Sequence, residues 1–428
     1  MNFPIFAITP SMRMKRSIQL SVLLSAAGVV LAGPGIGQTT LTTDQLLGQI
    51  NTITTAVPFL LISPDSRSGG MGECGVATSP DANAIHWNAS KLAFSDKKMG
   101  FGVSYTPWLR ALVPDINLAY LSFFAKKGKD QAIGGSLRYF SLGNITFTDV
   151  VGNTIGQYKP NEFAIDFAYS RKLGDRFAGG MAARFIHSNL TGGINVQGAA
   201  TKAGTSFAVD LSGTYRNDDI KISDKKSVIM AGINISNIGS KISYSNTANK
   251  DFIPINLRLG STLTTHMDDY NDLSFSIDIN KLLVPTPPVY ELDANGSPKV
   301  DPNTGEYIIA AGKDPNRSVP AGIFGSFSDA PAGFKEEMRE LNFTTGMEYY
   351  YNKQFAVRAG YFYEHPTKGN RQFFTLGAGL RYNVFGLDFA YLIPTNRQRS
   401  PLENTLRFTL TFDFDAFKSQ NKESGDSK

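Results

Sequence analysis

The chain has 428 residues, and its 42 lysines and arginines outnumber its 37 aspartates and glutamates by only five. This small excess is spread along the chain without a run of five like charges, which argues against nucleic-acid binding. The four histidines show no metal-ligand spacing, so no metal or other cofactor is predicted. The single cysteine, Cys74, excludes an internal disulfide.

Residues 1–37 have the form of a secretory signal peptide. Three basic residues precede the apolar stretch 17–33, which ends in small residues, and Met12 or Met14 is an alternative start. The apolar stretch is short and is ended by Gly33-Pro34-Gly35, which disfavours a membrane-spanning helix. No other stretch of about 18 apolar residues follows, so the mature chain is predicted to have no transmembrane helix.

A glycine motif in the next segment matches the pattern that holds a dinucleotide pyrophosphate. It reads Gly70-Met71-Gly72-Glu73-Cys74-Gly75. The pattern has that meaning only between a strand and a helix. Here Pro64, Asp65 and Ser66 separate it from the apolar run 57–61, and Thr78-Ser79-Pro80-Asp81 breaks any helix after it. The glycines are therefore predicted to permit tight turns and close backbone contacts, and no nucleotide site is predicted.

From residue 99 onward, polar and apolar residues alternate. In 161–173, one face carries Phe163, Ile165, Phe167 and Tyr169, and the other carries Glu162, Asp166, Ser170 and Lys172. Such runs last about ten residues, which suits a tilted strand that crosses a bilayer better than a strand of a soluble sandwich. Fourteen are predicted: 99–106, 115–125, 131–140, 161–173, 177–188, 204–216, 226–237, 255–265, 272–281, 341–351, 354–364, 371–382, 384–393 and 404–415.

The connections between these strands alternate between short and long. The short ones are 126–130, 173–176, 266–272 and 351–354, and the long ones are 141–160, 189–203, 238–254, 282–340 and 394–403. Short periplasmic turns and long external loops are typical of an outer-membrane barrel. Because the strand count is even, both termini are predicted to be periplasmic, with the 282–340 loop outside. The barrel is predicted to span 99–417, with a solvated, disordered tail at 418–428.

The polar face of the strands is predicted to line the interior, because ionised groups facing lipid are costly. Its charged residues are Asp166, Arg184, Asp210, Arg258, Asp278, Glu348, Arg358, Arg381, Asp388 and Asp413. The pattern alone leaves open whether this lumen is water-filled or plugged. Residues 38–98 do not alternate and are glycine-rich from 59 onward, so they are predicted to form a plug inside the barrel.

Several segments resemble the PorV (LptO) family, whose members are outer-membrane proteins of the type IX secretion system in Bacteroidetes. The segments are 64–94, 104–122, 137–149, 358–395 and 401–414. The motif residues in the plug are Pro64, Asp65, Arg67, Gly69, Gly70, Gly72, Gly75, Trp87 and Asn88. One departure is Trp87-Asn88-Ala89-Ser90, where the family usually has Trp-Asn-Pro-Ala, and this puts the local turn geometry in doubt.

The resemblance implies a FadL-like barrel of fourteen strands with an N-terminal plug and a non-enzymatic role. PorV-type proteins bind the C-terminal signal domain of cargo that leaves the SprA/Sov translocon. They deliver it to the sortase-like PorU, which attaches the cargo to the surface. The implied partners are therefore cargo proteins, the PorU-like sortase, the translocon and outer-membrane lipid.

Two alternatives compete with this interpretation. A FadL-type importer of long-chain fatty acids or other hydrophobic compounds would share the barrel and plug, but it needs a continuous apolar pocket. The predicted lumen is largely charged or small, which favours the shuttle. An outer-membrane esterase or deacylase would need a nucleophile elbow or a triad, and neither is visible, so no catalytic residue is predicted.

The longest loop contains the candidate partner-binding residues. Segment 284–327 combines prolines with large apolar groups: Val289, Tyr290, Tyr307, Ile308, Ile323, Phe324 and Phe327. Exposed apolar groups of this size usually mark a partner site. Burial of the same residues against other loops is the alternative.

Overall fold

The structure is a computed structural model that describes residues 46, 48–109, 113, 115–148, 151–193, 200–245, 250–395 and 405–414. The predicted signal peptide and the predicted tail at 418–428 lie outside the described residues. Among the residues described, no helix is both long enough and apolar enough to cross a membrane.

Fourteen antiparallel strands form a closed barrel in which the last strand pairs with the first. They are β1 (Met99–Pro107), β2 (Asn117–Lys127), β3 (Gln131–Ser141), β6 (Asn161–Lys172), β7 (Phe177–Asn189), β8 (Gly204–Ile222), β9 (Lys225–Gly239), β10 (Asn256–His266), β11 (Asn271–Leu282), β14 (Asn342–Tyr351), β15 (Phe355–Tyr363), β16 (Gln372–Tyr382), β17 (Phe385–Pro394) and β18 (Leu406–Asp413). The predicted fourteen-stranded barrel is confirmed.

The other strands and the helices of the described part lie in the connections and in the segment before β1. Two small ribbons pair β4 (Ile145–Thr148) with β5 (Thr154–Tyr158), and β12 (Val289–Tyr290) with β13 (Ile309–Ala311). Before β1 there are short helices at Pro58–Leu61, Ser66–Gly69, Ala84–Trp87 and Ala89–Phe94. The longest connection holds two more, at Val319–Gly325 and Phe334–Arg339.

The side chains alternate across the barrel wall as the sequence predicts. On β6, Ile165 and Phe167 are 49% and 60% exposed on the outside, whereas Asp166 between them is 3% exposed. Of the ten predicted lumen charges, eight are buried, and Arg381 and Asp413 are half-buried. An apolar exterior with a polar interior is the arrangement that lets strands cross a bilayer.

The two ends of the barrel differ. At one end, called here the short-turn end, connections run from two to four residues, at 128–130, 173–176, 223–224, 267–270, 352–354 and 383–384. Ser223 and Asp224 both have positive φ (49° and 62°), as a two-residue hairpin that follows the strand twist requires. At the opposite end, the long-loop end, the connections are 108–116, 142–160, 190–203, 240–255, 283–341, 364–371 and 395–405.

The stretch that leads into the plug lies at the long-loop end. Asn51 N donates to Thr367 O (2.9 Å) and Ala56 N donates to Phe252 O (2.9 Å). The plug then runs through the lumen to the short-turn end, where Lys126 Nζ donates to Ser95 O (2.7 Å). The described part of the N-terminal segment therefore begins at the long-loop end, opposite the end where β18 finishes, whereas the termini themselves lie outside the described residues. An even strand count requires only that β1 begins and β18 ends at the same end of the barrel. It says nothing about the plug, which crosses the lumen before β1.

Candidate functional site

The motif residues that begin the plug are joined by Asp65. Pro64 is buried, and the Asp65 carboxylate caps the helix Ser66–Gly69 by accepting from Ser68 N (2.8 Å). Its other oxygen accepts from Trp87 Nε1 (2.7 Å). One buried carboxylate therefore holds together two parts of the plug that are 22 residues apart, and the helix it caps is a single turn.

Arg67 connects the plug to the barrel wall. Its guanidinium donates to both oxygens of Glu348 on β14 (2.9 and 2.7 Å) and forms a salt bridge with Asp81 of the plug (3.1 Å). Glu348 also accepts from Arg358 (2.6 Å), which pairs in turn with Asp388 (2.8 Å). The result is a buried row of alternating charges that begins in the plug and crosses four adjacent strands of the wall.

The motif glycines stand where a side chain would collide with the wall or with the plug itself. Gly72 has a φ of +65°, and a Cβ there would lie 2.6 Å from the backbone nitrogen of Tyr361. A Cβ on Gly75 would lie 2.2 Å from the Trp87 ring. A Cβ on Gly69 would meet Arg407 at 2.6 Å, and one on Gly70 would meet the Gly377 backbone at 3.0 Å. The glycines thus allow the plug backbone to touch the barrel backbone.

The wall has matching glycines. A Cβ on Gly360 would lie 2.1 Å from Gly72 N, and a Cβ on Gly346 would lie 2.5 Å from Met71 O. We expect Gly360→Ala to destabilise the protein by about 3 kcal/mol, because backbone atoms on both sides leave no room for a methyl group. The unfolding temperature, detected by the change in gel mobility when the barrel unfolds, measures this effect.

Gly174→Ala is the matched control for this prediction. Gly174 lies in a short turn, its φ is outside the left-handed range, and no atom lies within 4 Å of the position that a methyl group would take. Its variant is expected to unfold like the parent chain. Equal unfolding temperatures for the two variants would contradict the close packing of plug against wall.

The second half of the motif region is held by wall side chains. The amides Gly75 N and Val76 N donate to Asp278 Oδ2 on β11 (2.7 and 3.0 Å). Asn88 Nδ2 donates to Val76 O (3.0 Å) and to Thr214 Oγ1 on β8 (3.0 Å). This half of the motif region is therefore fastened by polar contacts to two separate strands of the wall, β11 and β8.

Sequence reasoning missed several charged residues of this interior, among them Arg138, Arg407 and Glu73. Arg407 pairs with Glu73 of the plug (2.7 Å), and Arg138 is fully buried against the plug. The alternation of β3 and β18 does place both arginines on the lumen face, so periodicity could have found them. Their partners could not be found that way, because the plug has no period.

The cavity described at the short-turn end is polar. It has a volume of about 320 Å³, and seven of its nine lining residues are charged, including Lys172, Asp175 and Arg216. Among the residues described, no group of three His, Cys, Asp or Glu side chains could hold a metal ion.

The structure places the candidate partner-loop residues in two groups. The first group belongs to the ribbon around β12 and β13 in the long connection and contains Val289, Tyr290, Tyr307 and Ile308. In this ribbon the rings of Tyr290 and Tyr307 lie 5.4 Å apart. Ile323, Phe324 and Phe327 lie in and after the helix Val319–Gly325. Ile323 packs against the apolar core at the long-loop end, whereas Phe324 and Phe327 are 79% and 52% exposed.

The returning half of the long connection is fastened to the barrel by a cluster of buried charges. Lys281, at the long-loop end of β11, pairs with Glu337 (3.1 Å) and Glu340 (2.6 Å). Lys368 in the 364–371 connection pairs with Glu336 (2.6 Å) and Glu340 (3.0 Å). Burial works to raise the pKa of Glu336, but the hydrogen bond and charge of Lys368 outweigh it and hold the pKa below its ordinary value. Glu336 therefore keeps its negative charge at neutral pH.

Comparisons with known proteins found one matching family and several similar solved structures. A family model described as "Type IX secretion system protein PorV" matches residues 45–289. The solved structure of the toluene transporter TodX from Pseudomonas putida is similar at 12% identity and a TM-score of 0.43, covering 85% of this chain and 98% of that one. A FadL homologue from Pseudomonas aeruginosa is similar at 11% identity and a TM-score of 0.42, covering 85% and 99%. No curated protein sequence matches the chain.

Proposed function

Because this chain belongs to the PorV family of type IX secretion system proteins, we propose that it is a non-enzymatic shuttle of the outer membrane. It binds the C-terminal signal domain of cargo that leaves the SprA/Sov translocon and delivers the cargo to a PorU-like sortase. These partner roles come from the family that the sequence resembles. The family and the closed barrel fit the outer membrane.

The main support for this proposal is that the exposed aromatic groups lie on the longest connection and the lumen is filled. The lumen is filled by a plug that touches the wall through glycines and buried charges, whereas Tyr307, Phe324 and Phe327 stand exposed on the longest connection. Exposed aromatic groups are the usual anchors of a protein interface. A transporter of hydrophobic compounds would need the reverse, with an apolar route inside.

We propose further that the long-loop end faces the cell exterior and the short-turn end faces the periplasm. Outer-membrane barrels have this arrangement. Since the stretch 48–57 lies at the long-loop end, it would then be at the cell surface, while β18 would end in the periplasm.

Cysteine labelling of intact cells tests this orientation. The native Cys74 is fully buried, so it adds little background. We expect Ile50→Cys and Asn295→Cys to react with a membrane-impermeant maleimide and Lys129→Cys to react only after lysis. If Lys129→Cys alone were labelled on intact cells, the orientation would be the reverse of the proposed one. If Ile50→Cys were not labelled while Asn295→Cys was, the result would contradict the path of the N-terminal stretch.

Photo-crosslinking tests cargo binding. A photoreactive amino acid at Tyr307 is expected to give a product that contains peptides of a cargo C-terminal signal domain, identified by mass spectrometry. The same amino acid at Phe167, which is 60% exposed on the outer face of β6, is the matched control and is expected to give none. Cargo peptides at both positions, or at neither, would count against a binding surface on the long connection.

A further inference from the structure

A buried lysine stands on the outer, lipid-facing side of the barrel wall. Residues that pair directly on neighbouring strands project from the same side of a sheet. Arg258 on β10 points into the lumen, where it donates to His86 O (3.1 Å), and its partner on β11 is Asn280. Because side chains alternate along a strand, the next pair, Leu257 and Lys281, projects outward. Lys281 is nevertheless buried, so something outside the wall covers it.

The cover is the helix Phe334–Arg339, called here the rim helix. Glu337 in this helix and Glu340 directly after it pair with Lys281 (3.1 and 2.6 Å). The ring of Phe327 adds to the cover, with its centroid 5.8 Å from the same ammonium. A lysine facing lipid would be costly, and the two carboxylates offset that cost. The rim helix therefore lies on the outer side of the wall.

The rim helix has its charged side buried and its apolar side exposed. Glu336, Glu337 and Glu340 are all buried. Phe334 and Met338, which lie one turn apart on the other side of the helix, are 77% and 46% exposed. Because the glutamates face the wall, the apolar pair points away from it. This is the reverse of the arrangement in a helix that packs on a protein core in water.

The rim helix lies at the level where the apolar outer face of the barrel ends. The outward residues of β11 before Lys281 are Leu273, Phe275, Ile277 and Ile279. The eight residues from Leu273 to Lys281 span about 27 Å along the strand, or about 20 Å along the barrel axis at a tilt of about 40°. The apolar band of an outer-membrane barrel is about 25 Å tall. Lys281 and its cover therefore lie at the long-loop edge of that band.

We propose that the rim helix binds lipid of the leaflet at the long-loop end, with Phe334 and Met338 placed among the acyl chains next to the headgroups. The apolar pair continues the lipid-facing surface of β14, where Phe343 is 40% exposed, and aromatic groups at this level form the interfacial girdle of a barrel. Lys335, exposed on the same helix, reaches toward lipid phosphates. This inference depends on the barrel lying in a bilayer and does not depend on the shuttle role.

Fluorescence quenching by brominated lipid tests this contact in the full chain. The protein is placed in phosphatidylcholine vesicles that carry bromine on the acyl chains, either near the headgroup or near the chain end. The tryptophan added by Phe334→Trp, or by Met338→Trp, is expected to lose most of its fluorescence with bromine near the headgroup and less with bromine near the chain end. The signal of the native Trp87 and Trp108 is subtracted by using the parent chain.

Two control positions set the scale, and a heat-modifiable band shows that each variant has folded. Phe167→Trp, on the outer face of β6, should be quenched, and Tyr307→Trp, on the exposed ribbon, should not. If neither rim-helix variant were quenched while Phe167→Trp was, the helix would not contact lipid, and its apolar side would be left for a protein partner. Equal quenching of Tyr307→Trp would show a connection lying on the membrane without a specific contact. Either result would overturn the proposal, and neither would bear on cargo, which the vesicles lack.

Discussion

Deleting residues 64–94 is expected to convert a barrel that hardly conducts ions into an open pore. The wall closes on itself through fourteen strand pairings, which do not include the plug. Removing the plug would leave buried wall charges such as Glu348, Arg358 and Asp388 facing the emptied lumen, where water would enter to hydrate them. Conductance in planar bilayers measures the change, and a heat-modifiable band on a gel shows that the barrel has folded.

Two controls sharpen this result. Deleting the ribbon segment 291–306, which lies outside the lumen, is expected to leave conductance low. Arg67→Ala should loosen the plug without removing it, because breaking a buried ion pair costs about 3–5 kcal/mol, and brief openings are expected. A folded plug-deletion barrel that stays closed would show that something other than the plug seals the lumen.

Trimming the ribbon 289–311 is expected to reduce cargo display at the cell surface by about tenfold or more. Loss of one strong interface anchor costs about 2 kcal/mol, and about 1.4 kcal/mol is a factor of ten. The trim spares Thr286, Ile323 and the Lys281–Glu340 pair, which fasten the connection to the barrel. Surface cargo is counted by antibody labelling of intact cells.

The second ribbon provides the control for this trim. β4 and β5 form a comparable hairpin in the 142–160 connection, and shortening it is expected to leave display unchanged. Equal loss from both trims would indicate a general effect on the barrel. If trimming 289–311 did not reduce cargo display, that ribbon would not be part of the binding surface.

The barrel could be predicted from the sequence because its determinant is local. Residues such as Phe163, Ile165 and Phe167 alternate with polar neighbours, and a strand between lipid and a polar interior requires that pattern at each position. The short turns at 126–130 and 351–354 are likewise predicted, whereas the turn Ser223-Asp224 is not, because β8 runs to Ile222, beyond its predicted end at 216. The strand count and most of the wall charges that face the lumen follow from these features alone.

The interior contacts could not be predicted in the same way. Arg67 and Glu348 are 281 residues apart, and nothing in either neighbourhood selects the other. The plug has no period, so its direction through the lumen cannot be predicted, and the even strand count does not fix the end at which the stretch 48–57 lies. Glu336, Glu337 and Glu340 fall in a predicted loop, although they are buried against Lys281 and Lys368.

The measurement that tests the shuttle most directly is the fate of cargo in cells that lack this protein. Cargo is expected to accumulate in the periplasm with its C-terminal signal uncleaved, and to return to the surface when the intact gene is restored, while fatty-acid uptake stays unchanged. Normal cargo display together with lost growth on long-chain fatty acids would contradict the shuttle and identify an importer.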